Sequence, residues 1–248
     1  DHLQRLIAES GCPAVSYNTN HPELDIPRVS MDSAAAGRLA AEHLLERGFR
    51  SFAFFSNGMS RATGQARRAG FTQTLEQEGH AVAPLLWHQH HDRQAEQGVA
   101  HRDTWAARQA WLRDELAGLD KPVVVCCIND EAATEVIEAC LAQSIAVPDQ
   151  VAVLGMLDMA LFRHSTSVAL SSVVMDFDAI TRAGCDLLDR MMRGEPAPDG
   201  PTLFAPLGVA ARQSTDTYAA HSPAVSKAVA FMLEHFAEDR SEERRVGK

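Results

Sequence analysis

Short apolar runs of β type alternate along this chain with stretches of helical period, and that alternation is the feature that most restricts its fold. The β-type runs fall at residues 14–17, 51–55, 81–86, 123–128, 151–154, 170–174 and 203–209. Between many of them, apolar residues recur at i, i+3 and i+4, the spacing that places side chains on one helix face. Leu39, Ala40, His43 and Leu44 make one such stripe, stopped by Gly48. Ala66, Gly70, Phe71 and Leu75 make a second, stopped by Gly79. Ala133, Val136, Ile137, Cys140 and Leu141 make a third, and Ile180, Leu187, Leu188, Met191 and Met192 a fourth, stopped by Gly194. Glycine suits the left-handed residue that ends a helix. Strands alternating with helices imply parallel sheets with right-handed crossovers and helices on both faces. Ligands of such sheets bind beyond the carboxyl ends of the strands. The loops of interest are therefore 18–20, 56–64, 129–130 and 155–167.

With 248 residues, 46% of them hydrophobic and 23% charged, the chain can build a sizeable core, and its length suits two linked α/β lobes. No apolar run reaches the roughly 18–20 residues that span a bilayer, so no membrane partner is expected. The net charge of −10 repels phosphates. Contact with DNA would need another segment. The five cysteines, Cys12, Cys126, Cys127, Cys140 and Cys185, fit no zinc spacing and read as reduced, buried thiols of a cytosolic protein. Cys126 and Cys127 are neighbours in an apolar run and should point to opposite faces of a sheet.

The chain starts at Asp1 and residues 3–9 read as the tail of a helix, so an earlier segment is expected. Residues 87–104 read as a long polar surface loop carrying His88, His90, His91 and His101, followed by a helix over 105–117 whose Trp105, Trp111 and Leu112 pack one face. Residues 213–221 read as a polar linker, and Ser222-Pro223 as the cap and first turn of a helix carrying Val225, Val229, Met232, Leu233 and Phe236. Residues 241–248 form a charged tail without apolar pattern.

An ordered set of short motifs resembles the effector domain of the lactose-repressor (LacI/GalR) family. It comprises Ile26-Pro27-Arg28-Val29, Asp32, Gly37, His43-Leu44, Gly48, Ala53-Phe54 and Arg67 with Gly70-Phe71. It continues with Asn129-Asp130, Ala133, Val147-Pro148, Val151-Ala152-Val153, Gly155 and Leu170-Ser171-Ser172-Val173. Residues 209–212, Ser214-Thr215-Asp216 and Ser222-Pro223 resemble the junction of xylose-operon regulators, where a DNA-binding domain of AraC type follows.

The resemblance implies a type I periplasmic-binding-protein-like fold: two doubly wound parallel-sheet lobes joined by crossing strands, with a sugar in the cleft and the N-terminal lobe incomplete. It places 1–30 and 174–200 in the N-terminal lobe and 31–173 and 201–213 in the C-terminal lobe. Residues 214–240 would be the linker and first helix of the DNA-binding domain, and 241–248 a tail outside the native structure. It also implies a homodimer that binds a small, pentose-like sugar effector, touches DNA only through the domain that follows, carries no cofactor or metal and catalyses nothing.

Carried over residue by residue, the implied ligand contacts are Asn18, Arg67, Asn129, Asp158 and Phe177. The family places an aspartate two residues after the glycine following the 151–154 strand; here Leu157 stands there and the acid, Asp158, comes one step later. Buried sugar hydroxyls need hydrogen-bond partners, which planar Asn, Asp and Arg groups supply in pairs, while the apolar ring face suits an aromatic such as Phe177 or, as an outsider, Trp105. Each residue also has an ordinary structural reading. Arg67 could be a solvated helix residue, Asn18 a turn residue, Asn129 or Asp130 a helix cap, Asp158 a loop acid and Phe177 a core residue.

His88, His90 and His91 lack a spacing that aims three ligands at one point. No Gly-x-Ser-x-Gly elbow, phosphate loop or His-Glu-x-x-His motif occurs. Two other binding classes share the implied fold, a periplasmic sugar-binding protein and a repressor core of lactose-repressor type. A small-molecule enzyme on a doubly wound sheet is a further class.

Overall fold

The computed structural model describes residues 2–58, 62–96 and 104–216. The elements are α1 (His2–Ser10), β1 (Val29–Met31), α2 (Ser33–Glu46), β2 (Phe52–Ser56), α3 (Ala62–Gln77), β3 (Val82–Leu86), α4 (Trp87–Glu96) and α5 (Trp105–Gly118). Then come β4 (Val123–Cys127), α6 (Asp130–Ala142), β5 (Val151–Leu157), β6 (Ser171–Val174), α7 (Phe177–Met192), β7 (Thr202–Phe204), β8 (Gly208–Ala210) and a 3₁₀ turn, Gln213–Thr215.

The main sheet has six strands in the order β3-β2-β4-β5-β6-β8. All neighbours are parallel except β6 and β8, which are antiparallel. The two-residue period of a strand sorts its side chains between two cores. In β2, Ala53 and Phe55 face α5 and α6, while Phe52 and Phe54 face α2 and α3. Cys127 enters the first core and Cys126 the second, as their adjacency predicted. Burial on both faces explains why these runs are almost wholly apolar.

The second sheet is small, β1 parallel to β7, with Val29 registered on Thr202 and Met31 on Phe204. Helix α7 covers it through Ile180 and Leu187, which pack with Val29. The loop before β1 joins this layer through a bridge between Ser16 and Arg28. Tyr17 packs against α7. A Cβ on Gly184 would meet its ring at 2.4 Å, and its hydroxyl donates to the Thr181 carbonyl at 3.1 Å. The chain passes between the two sheets three times, from β1 to α2, from β6 to α7 and from β7 to β8.

Several expectations need correction. The run at 14–17 forms only the single bridge at Ser16. The run at 203–209 divides into β7 and β8, which belong to different sheets. The polar segment starting at Trp87 opens as helix α4, because Trp87 is 1% exposed and packs on Trp111 with ring centroids 5.4 Å apart. Trp105 does not pack; it is 56% exposed. Leu141 and Met192, read as core, are also exposed. Cys126, Cys127 and Cys140 are buried free thiols, but Cys12 and Cys185 lie at the surface. Ser214 and Thr215, read as the start of a linker, are fully buried. The Ser214 hydroxyl donates to the Val153 carbonyl at 2.6 Å and accepts from the Ser171 amide at 2.8 Å, which satisfies two buried backbone groups. The expected helix from Pro223, the charged tail and His101 lie outside the described residues.

Candidate functional site

Strand order dictates where the crevice lies. From β2 the chain goes first to β3 on one side and then to β4 on the other. The loops leaving the carboxyl ends of β2 and β4 therefore diverge, which is where the ligand crevice of such sheets lies. It is bordered by Asn57, after β2, and by Ile128 and Asn129, after β4.

Arg67 reaches this crevice from α3. Its NH1 donates to the Ile128 carbonyl at 2.7 Å and its NH2 contacts the Met31 sulfur at 2.9 Å. The residue is only 7% exposed, and its buried Nε has no hydrogen-bond partner among the described residues. No carboxylate of the described residues lies within the 4.0 Å of an ion pair. Burial lowers the guanidinium pKa, and the field of Asp130 opposes that shift. Three glycines make the placement possible. A Cβ on Gly37 would meet the Arg67 carbonyl oxygen at 2.0 Å, one on Gly70 would meet the Ala34 oxygen at 2.2 Å, and one on Gly64 would meet Ile128 Cδ1 at 2.6 Å. Helices α2 and α3 thus touch backbone to backbone beside Arg67.

Asn129 is the N-cap of α6, its Oδ1 accepting from the Ala132 amide at 2.8 Å. Asp130, the other cap candidate, does not cap. It is instead drawn inward to 1% exposure, where Oδ1 accepts from the Ser172 hydroxyl at 2.5 Å and Oδ2 from the Met159 amide at 2.7 Å. Burial raises the Asp130 pKa, against the pull of these two donors. Gly155 leaves the room for it, since a Cβ there would lie 2.3 Å from Asp130 Oδ1.

The loop at 18–20 belongs to the same neighbourhood. Asn18 Oδ1 accepts from the Asn20 amide at 2.9 Å, a local turn. Asn20 Oδ1 accepts from the Thr63 amide at 3.2 Å and from its hydroxyl at 2.9 Å. Thr63 and Arg67 are four residues apart on α3 and share a face. The fold therefore places Arg67 beside the strand end that leads into Asn129 and adds Asn20, Thr63, Met31 and Asn57, which sequence reading had not singled out, whereas Asn18 is exposed and is linked to them only through the Asn20 amide. Asn57 donates from Nδ2 to Glu135 Oε1 at 2.9 Å, and Glu135 is held by Arg108 at 2.7 Å.

Asp158 and Phe177 are not drawn into contact with this group. The Asp158 carboxylate turns to Arg212 at 2.7 Å and to Arg163 at 3.0 Å. Left-handed backbone at Leu157 (φ 105°) and Asp158 (φ 51°) sets that direction. Phe177 opens α7 behind the Asp176 cap and is 41% exposed. A cavity of about 680 Å³ on the far side of α3, lined by Gln65, Arg68, Gln73, Val82 and His88, contains none of the five predicted residues.

Arg67 and the amides around it offer hydrogen-bond donors and acceptors. Cys126, the thiol nearest in charge terms, is fully buried, and desolvation pushes its pKa up. A protonated buried thiol is a poor nucleophile. Among the described residues, no group of three or more His, Cys, Asp or Glu side chains is placed to hold a metal ion, and no helix is long and apolar enough to cross a membrane.

Residues 41–215, which hold the whole main sheet and Thr63, Arg67 and Asn129 of this site, match the family model described as periplasmic binding protein-like domain. The chain belongs to that family. Among curated members related to this periplasmic binding protein-like chain are the xylose operon regulatory proteins of Haemophilus influenzae and Escherichia coli K12. The first is 25% identical over 236 residues, covering 92% of this chain and 58% of its own length. The second is 26% identical over 247 residues, covering 94% and 58%. The chain thus spans a little over half the length of these relatives. The structure of a xylose-binding transcription activator superposes with a TM-score of 0.73 at 23% identity, covering 95% of this chain and 61% of that one. That likeness supports the periplasmic-binding-protein-like α/β fold, and the resemblance read from the sequence motifs agrees with all three.

Proposed function

We propose that this chain is the effector-sensing part of a bacterial transcription regulator and that it binds a small sugar or sugar derivative without transforming it. The observation that carries the reading is the crevice at the turn of strand order, where a buried Arg67 keeps unused N–H donors. Such a group is costly to hold without a partner, and a polyhydroxylated ligand supplies acceptors. The likeness to xylose operon regulators supports a role in transcription and a pentose-like effector.

In this reading the layers carried by the two sheets are the two lobes, and the three passages between them form the hinge. A ligand contacted from both sides favours the closed form by its differential affinity. Closure would change the placement of AraC-type DNA-binding domains that follow in a cytoplasmic homodimer. DNA contact belongs to those domains, since this acidic portion repels phosphate.

A thermal-shift screen against pentoses, hexoses and their acids tests the proposal. Binding to the folded state alone adds about 2.7 kcal/mol at a hundredfold excess over Kd. A shift that disappears in Arg67→Gln supports it. A cooperatively melting protein that responds to none of these ligands overturns it.

A further inference from the structure

We propose, on the basis of the effector-binding reading above, that the effector is an anion: a sugar acid whose carboxylate pairs with Arg67. A guanidinium has five N–H donors. Arg67 uses one toward the Ile128 carbonyl and one toward the Met31 sulfur, and its Nε has no partner among the described residues although the residue is only 7% exposed. A buried charge is tolerated when it is paired. Among the described residues, no carboxylate contacts the Arg67 guanidinium, and the oxygens of the acids around it have other partners. Asp130 is held by Ser172 and Met159. Asp158 is held by Arg163 and Arg212. Glu135 is held by Arg108 and Asn57. Asp32, next to Met31, caps α2 through the Ala35 amide. Asp130 acts on Arg67 only through its field, so a carboxylate in direct contact with the guanidinium would have to come with the ligand.

The amides around Arg67 point to the same chemistry. Asn18, Asn20 and Asn129 each spend their side-chain oxygen inside the protein, on the Asn20 amide, on Thr63 and on the Ala132 amide. What each has left to offer is its NH₂ group, a donor. A carboxylate is an acceptor only and matches such a donor set, with the planar fork of Arg67 able to hold both its oxygens. A neutral sugar matches it poorly, because each hydroxyl also has a proton to place. Asn57 is oriented the other way, its nitrogen spent on Glu135, so its oxygen remains for a hydroxyl of the same ligand. At the carboxyl end of β5, Leu157 supplies no acceptor.

Calorimetric titration of the full-length regulator with matched pairs tests this: D-xylose with D-xylonate, D-glucose with D-gluconate, and D-galactose with D-galacturonate. We expect at least one acid to bind ten or more times tighter than its neutral partner. Arg67→Gln should abolish that preference while melting cooperatively. Should Arg67→Gln not fold, Arg67→Lys keeps the charge without the fork and is expected to retain the preference at reduced affinity. A neutral sugar that binds as tightly as its acid overturns the anionic assignment and leaves the effector reading standing. A preference that survives Arg67→Gln overturns the role given to Arg67. Failure of every pair to bind overturns the effector reading itself.

Discussion

The guanidinium of Arg67 meets the carbonyl oxygen of Ile128 at 2.7 Å, across 61 residues of sequence. One hydrogen bond thereby ties α3 to the end of β4. Its geometry depends on how closely α3 approaches α2, which Gly37 and Gly70 control.

Gly37→Ala and Gly70→Ala should each force those two helices apart, because the new methyl would meet backbone oxygen at 2.0 and 2.2 Å. A loss of about 3 kcal/mol in urea unfolding is expected from overpacking of this kind. Gly118→Ala, where nothing lies within 4 Å, is the control and should be neutral or mildly stabilising.

Asp158→Asn should destabilise the fold by about 2 kcal/mol, since it strips the carboxylate from Arg163 and Arg212. A stability within a few tenths of wild type would show that these ion pairs are idle. Arg212→Ala, measured in the same way, should give a change of the same sign.

Asp130 should titrate above the ordinary aspartate value, because burial disfavours its charge. With the folded pKa raised, the protonated form favours the fold. That contribution is complete below the unfolded-chain value and is lost as pH rises through the folded one. The stability advantage of wild type over Asp130→Asn should therefore shrink with rising pH. Carbon-13 NMR of the carboxyl reads the midpoint directly, and a midpoint at or below the ordinary value would contradict the prediction.

Thiol labelling under native conditions should modify Cys12 and Cys185 and spare Cys126, Cys127 and Cys140. Burial raises all three protected thiols, Cys140 to about 12. Mass spectrometry after labelling counts the modified sites, and all five should react once the chain is unfolded.

The limits of sequence reading show at particular residues. Asn129 and Asp130 are both good caps, and local chemistry does not choose between them. The choice comes from Ser172, 42 residues later, whose hydroxyl draws Asp130 into the core and leaves Asn129 to cap α6. The helical start at Trp87 escaped notice for a related reason. Its segment is polar, and its one large apolar side chain is buried against Trp111 from a different helix. Ser214 and Thr215 look like linker residues by composition, yet their hydroxyls complete hydrogen bonds with Ser171 and Val153.

What could be read directly from the residues was the period: which runs make strands buried on two faces, which stripes make helices, and that Arg67 stands three residues before Gly70-Phe71. Periodicity is local, and local backbone geometry expresses it. The direction in which a polar group turns is not local. Asp158 was legible as an acid near a strand end, but its orientation toward Arg163 and Arg212 depends on left-handed backbone at Leu157 and on strands that meet only in the sheet. Likewise Arg67 was legible as an arginine on a helix. Its burial without a carboxylate exists only once α2, α3 and β4 have packed, because the desolvation that makes the group consequential comes from neighbours distant in sequence.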